Sequence, residues 1–225
     1  AYTRLVNGFA KLGDVEKVEL WVAKAEDDGI LRDARMISSL VEAYAKAGNF
    51  ERARAIVDAT DDALVSDAYG ALILAYANDA AVDNSLDILE MAAALIDEAK
   101  KRQVQVSITM YSAIIRGYAR QRDRAKAEEW FHRAVSDGLT PDAWTYSSVI
   151  AAQTGSGDLD LSVRWLDEMA EANVTPLLST YRIILRQCQE INQPGDTPKV
   201  PGIEAYKLFA RMLKEGLWPD KDIYV

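Results

Sequence analysis

A single cysteine, Cys188, and a single histidine, His132, stand in a chain of 225 residues. One cysteine excludes an internal disulfide framework and fits a reducing compartment. His132 has no second His or Cys nearby, so no metal site is expected. Cys188 has no His or Lys at local catalytic spacing and reads as a packing thiol. No apolar run approaches the roughly 20 residues of a membrane-crossing helix, and no signal peptide is visible, so membrane insertion is not expected. Alternating strand patterns are almost absent. The glycine-rich stretch Thr154–Asp158 is followed by no Gly-Lys-Ser/Thr and preceded by no strand, so it reads as a turn and not as a phosphate loop. The doublet Asp61-Asp62 has no reason to converge on a substrate. Nothing in the chain argues for catalysis or for a cofactor.

Lys and Arg are missing from residues 55–99, which hold ten acids. The next section, Lys100–Arg133, carries nine bases against Asp123, Glu128 and Glu129, a balance of +6, so the remainder holds −15 of the total −9. An acidic chain is a poor polyanion binder, but a local basic section is compatible with one. The acidic 55–99 region suits either a basic protein partner or a solvated outer face. With 49% hydrophobic and 27% charged residues, the composition is that of a folded protein with a substantial core. The chain opens inside a pattern at Ala1-Tyr2-Thr3 and stops at Tyr224-Val225, as a piece of a longer protein would.

The phrase Gly-Leu-x-Pro-Asp, then three residues, then Tyr, occurs from Gly138 and again from Gly216. Such recurrence calls for a search for repeats. Tyr111, Ile114, Ile115, Tyr118 and Ala119 fall on one helical face, and Ala127, Trp130, Phe131, Ala134 and Val135 make a second stripe of the same spacing. Gly138 suits the left-handed turn that ends a helix, Pro141 cannot continue one, and Asp142 suits the entry to the next. The unit is therefore a helical hairpin, and since neither helix can bury its stripe alone, hairpins must stack. Repeats are expected over 1–33, 34–65, 66–107, 108–142, 143–177 and 178–220, with a seventh beginning at 221–225. The sixth is lengthened by a Pro/Gly-rich loop, INQPGDTPKVPG. Phe131 is expected to be a buried knob between units.

The stretches MYSAIIRGYARQRDRAKAEEWFHRAVSDGLTPD and TYSSVIAAQTGSGDLDLSVRWLDEMAEANVTP resemble the pentatricopeptide repeat family. The tetratricopeptide family has a similar hairpin with a 34-residue period. The 35-residue spacing from Tyr111 to Tyr146 to Tyr181, closed by Pro-Asp, favours the former. The resemblance implies an all-α, right-handed solenoid whose first helices line a concave groove. It also implies binding of single-stranded RNA in mitochondria or plastids, roughly one base per repeat. In the family the residue after the tyrosine and the last residue of the repeat read the base, and second residues of successive repeats sandwich it.

Carried over by position, the family pattern matches at Thr3 with Asp33 and at Ser112 with Asp142. It fails at Ser38/Val65, Gly70/Ser107, Ser147/Leu177 and Arg182/Asp220. The sandwich places hold Arg35, Asp67, Thr109, Trp144, Ser179 and Asp222, where the family prefers Val or Ile. The RNA-binding candidates are therefore Thr109, Ser112, Asp142 and Trp144, with Arg116 and Arg120 placed to meet phosphates, and second Thr3, Asp33 and Arg35. For Trp144, burial tendency favours packing between hairpins over stacking on a base. The arginines near residue 120 could equally form pairs such as Arg124 with Glu128. Two functions are expected to compete: RNA binding through the groove, and a protein-binding, architectural role in a large organellar assembly.

Overall fold

The computed structural model describes residues 2–61, 64–83, 86–154, 158–191 and 201–220. Every regular element among the described residues is a helix, as the stripes require. They are α1 (Tyr2–Lys11), α2 (Val15–Asp27), α3 (Ala34–Lys46), α4 (Phe50–Asp58), α5 (Val65–Asp83), α6 (Leu86–Lys101), α7 (Ile108–Arg120), α8 (Arg124–Ser136), α9 (Ala143–Gln153), α10 (Leu159–Glu171), α11 (Leu178–Ile191) and α12 (Pro201–Lys214). Asp62, residues 155–157 of the expected turn, most of the Pro/Gly-rich stretch and the segment 221–225 lie outside the described residues.

Short polar side chains set the helix starts. Asp14, Asn49 and Asp123 accept from the main-chain N–H groups of Lys17, Arg52 and Lys126 and so cap α2, α4 and α8. Each satisfies one of the donors that a helix leaves unpaired at its first turn. At the other end, Gly138 takes φ 79°, and its N–H and that of Leu139 return to the carbonyls of Val135 and Ala134. Asn173 occupies the matching place after α10 and adopts the same left-handed backbone at φ 56°.

The chain divides into two compact units, 1–117 and 118–225. In the first, α1 packs on α3 and α3 on α5, while each also packs on its own second helix. Its core includes Val6, Val22, Met36, Leu72, Ile73, Leu89 and Ile96. In the second, α9 packs on α8, α10 and α11, and α11 on α12. There Phe131 is buried with its ring edge-on to Tyr146 at 4.9 Å and to Trp165 at 4.8 Å. His132 stands beside the same cluster, 5.9 Å from the Trp165 ring.

The stripes are buried with two exceptions. Val135 is 48% exposed and Ala119 is half-buried. Both stand eight positions after the first residue of their stripe. At about 100° per residue they lie some 90° from the centre of the buried face.

Candidate nucleic-acid interface

In the first unit, Asp33 caps α3, with Oδ1 accepting from Met36 N–H at 2.7 Å. Its other oxygen accepts from Thr3 Oγ1 at 3.1 Å, which joins α1 to the start of α3. Arg35, two residues on, is exposed. The cap fixes the carboxylate, and the threonine hydroxyl is held against it.

Thr109 and Ser112 lie on α7 and are engaged locally. Thr109 Oγ1 shares a hydrogen bond of 2.7 Å with Ser107 Oγ, and Ser112 Oγ donates to the Ile108 carbonyl at 2.8 Å. Thr109 is exposed, so a hydroxyl remains presented to solvent. Arg116 Nη2 donates to Asn78 Oδ1 at 3.2 Å across to α5. Thr109 also forms part of a cleft of about 660 Å³ that runs along α5 between α3 and α7. Sequence reasoning missed this cleft because it arises from the separation of three helices distant in the chain.

In the second unit, Asp142 Oδ1 caps α9 by accepting from Thr145 N–H at 2.8 Å and from Thr145 Oγ1 at 2.7 Å. Trp144 is 66% exposed, against the expectation that it packs between hairpins. The reason is angular: Trp144 precedes Tyr146 by two residues, about 200° around the helix, and Tyr146 is on the buried face. Arg120, at the end of α7, is exposed. Arg124 and Glu128 form no ion pair; Glu128 instead accepts from Gln153 Nε2 at 2.6 Å.

Two positions that fail the family pattern are closed by their neighbours. Ser147 is buried, its hydroxyl donating to the Ala143 carbonyl and lying 2.6 Å from Thr180 Oγ1. Arg182 is paired through its guanidinium to Asp220. Behind the first helices, tyrosines anchor carboxylates. Tyr69 donates to Glu98 at 2.7 Å, and Glu98 also accepts from Arg54 at 2.5 Å. Burial alone would raise the Glu98 pKa, but the hydrogen bonds from Arg54 and Tyr69 hold it below the usual carboxylate value. Tyr181 repeats the arrangement with Glu215 at 2.7 Å, and burial followed by that carboxylate pushes the phenol pKa up. Among the described residues, no group of three His, Cys, Asp or Glu is placed to hold a metal, and no helix is long and apolar enough to cross a membrane.

Comparison with known proteins gives consistent results. A pentatricopeptide repeat domain model matches residues 94–156 and 130–190, and a PPR repeat model matches residues 1–30 and 36–59. A chloroplastic pentatricopeptide repeat-containing protein of Arabidopsis thaliana is 22% identical over 99% of this chain, which spans 28% of that protein. A mitochondrial one from the same plant is 24% identical over 87% of the chain, which spans 33% of it. Among solved structures, the pentatricopeptide repeat protein PPR10, in complex with an 18-nt psaJ RNA element, aligns at a TM-score of 0.63 and 22% identity, covering 99% of this chain and 31% of that one. The PPR domain of the Arabidopsis protein-only RNase P 1, in complex with tRNA, aligns at 0.61 and 14%, covering 82% of this chain and 91% of that one. At these identities the structural likeness concerns the fold.

Proposed function

The chain belongs to the pentatricopeptide repeat family, and from that premise we propose that it is a non-enzymatic scaffold that binds single-stranded RNA along its first helices. The observation that carries this reading is the exposed indole of Trp144, set two residues after the capping Asp142 at the start of a first helix. A solvent-facing tryptophan offers a stacking face that accepts any base and contributes about 1–3 kcal/mol per base. Two residues before it is a carboxylate fixed by its cap at Asp142, and the basic section offers the exposed Arg120 at the end of α7. In the first unit, Thr3, Asp33 and Arg35 supply a hydroxyl, a carboxylate and a cation, and Thr109, Ser112 and Arg116 supply two hydroxyls and a second cation. The relatives' chloroplastic and mitochondrial placement supports an organellar location. Because Ser147 is buried and Arg182 is paired, the fifth and sixth repeats contribute little base selection, and the RNA is held with weak sequence preference.

The test is fluorescence anisotropy of a labelled uridine-rich RNA at low and raised salt. Trp144→Ala should weaken binding by about tenfold. Arg120→Glu should lower affinity and flatten the salt dependence, since each phosphate contact adds about 0.7 to the logarithmic slope. Absence of salt-sensitive RNA binding at low ionic strength would defeat this reading. The competing protein-binding role is favoured by the ten acids of residues 55–99. It would gain if partners stayed bound to the full-length protein after nuclease treatment.

A further inference from the structure

We propose that the cleft along α5 is a guanine subsite, in which Asp67 accepts from the base's N1–H and 2-amino group. This rests on the RNA-binding reading above and assigns a base and an edge to a place where the family pattern fails. Asp67 stands where that pattern puts a stacking residue, and Gly70 where it puts a base reader. A carboxylate cannot stack, but it can accept two hydrogen bonds side by side.

The cleft, about 660 Å³, is within the range of small-ligand sites and is lined by Asp67, Gly70, Leu74 and Met110 among others. Gly70 leaves its floor open: a Cβ there would meet Met110 Cε at 3.3 Å. Leu74 and Met110 supply apolar surface for the faces of a flat ring. The rim is rich in acceptors because two of its hydroxyls, on Ser66 and Ser38, already spend their protons on the main chain, while those of Ser107 and Thr109 share one hydrogen bond. Ser66 Oγ donates to the Gln105 carbonyl at 2.7 Å, and Ser38 Oγ points to the Asp67 carbonyl at 3.5 Å. Their lone pairs remain, and Asp67 is exposed. Such a rim selects a ligand that carries adjacent donors. Guanine alone among the RNA bases presents two adjacent donors on its pairing edge. Adenine and cytosine place an acceptor beside their amino group, and uracil places its N–H between two acceptors.

A protein guanidinium also carries paired donors, but two observations favour the base. The first turns of α5 and α7 lie at this end of the cleft, and the positive ends of their peptide dipoles oppose a cation. At the other end, Lys46 lines the cleft paired to Glu42 at 2.7 Å, and Arg116 reaches Asn78. The two cations there suit a phosphate attached to the base better than a basic peptide. Asp67 and Asn78 are separated by eleven helical steps, about 16 Å, enough for a base at one end and its sugar-phosphate toward the other.

The test uses the 225-residue chain and a uridine-rich RNA carrying one central guanosine, inosine, 7-deazaguanosine or adenosine. Inosine lacks the 2-amino donor, and its oligomer should bind about tenfold more weakly than the guanosine oligomer, the loss expected for one hydrogen bond to a charged group. The 7-deazaguanosine oligomer should bind like guanosine, because N7 is not used. Asp67→Asn should erase the guanosine-over-inosine preference while leaving the uridine-only oligomer unchanged. Gly70→Leu, which fills the cleft, should do the same without lowering the melting temperature. RNA binding with equal affinity for guanosine and inosine overturns the subsite and leaves the broader function standing. So does N-acetylarginine amide, but not GMP, shifting the Gly70 amide resonance. Failure to bind any oligomer, the uridine-only one included, overturns both.

Discussion

Truncating Phe131 to alanine probes the packing on which the second unit depends. The side chain is buried between α8, α9 and α10 with its ring edge-on to Tyr146 and Trp165. Removal of a buried phenylalanine costs about 3–5 kcal/mol, the transfer of its surface plus the cavity left behind. Two edge-to-face contacts add about 0.5–1.5 kcal/mol each beyond area. The loss should therefore sit at the upper end, about 4–5 kcal/mol. With a urea dependence of about 2 kcal/mol per molar, the midpoint falls by roughly 2 M. Urea denaturation followed by far-ultraviolet circular dichroism reads this directly. Val135→Ala is the matched control: it truncates a residue of the same stripe that is 48% exposed, and its effect should stay within about 0.5 kcal/mol. A Phe131→Ala midpoint within about 0.5 M of the parent, or equal shifts for the two variants, would refute the argument that angular position on α8 decides burial.

Two glycines inside helices should respond with opposite sign. At Gly117 a Cβ would stand 2.5 Å from Leu89 Cδ1, so Gly117→Ala should destabilise by about 1–3 kcal/mol, whereas Gly70→Ala should stabilise by about 0.5–1 kcal/mol through helix propensity, both read by thermal melts. Glu98 has a folded pKa below its ordinary 4.5, so it contributes stability above that value which is lost as pH falls through the folded pKa. The melting temperature should drop below about pH 4.5, and Glu98→Gln should flatten that acid limb. Asp142→Ala should cost about 0.5–2 kcal/mol in chemical denaturation by uncapping α9, while Asp142→Asn keeps the cap and should be near neutral.

Most of the fold was legible because amphipathic stripes and turn residues are local signals. Tyr111, Ile114, Ile115 and Tyr118 announce a buried face, and the structure buries all four. What a stripe does not give is its width. Ala119 and Val135 satisfy the spacing yet sit at the edge of the face, where a Cβ begins to turn toward solvent. Trp144 shows the converse. A tryptophan is usually buried for its area, but a residue type carries no angle, and the offset from Tyr146 decides its exposure. The hydrogen bond between Thr3 and Asp33 and the cleft over α5 depend on neighbouring hairpins, and no count along one helix reaches them.

Two of the capping aspartates, Asp33 and Asp142, tie helix formation to the placement of an exposed or half-exposed carboxylate. An aspartate that merely faced solvent would sample several rotamers and would pay entropy to meet a base. At Asp33 and Asp142 that entropy is already spent, because Oδ1 is held by the first-turn N–H groups of the next helix. The second oxygen is thereby aimed without further ordering. The same oxygen, at Asp33, holds Thr3 on α1. Each of these two junctions thus fixes a carboxylate as a by-product of starting a helix. This explains why positions lacking a capping aspartate, such as Val65 and Leu177, cannot present one. At the junction after Ser107 no capping aspartate exists, and the carboxylates that line the cleft are Asp67, from the first turn of α5, and Glu42, from α3.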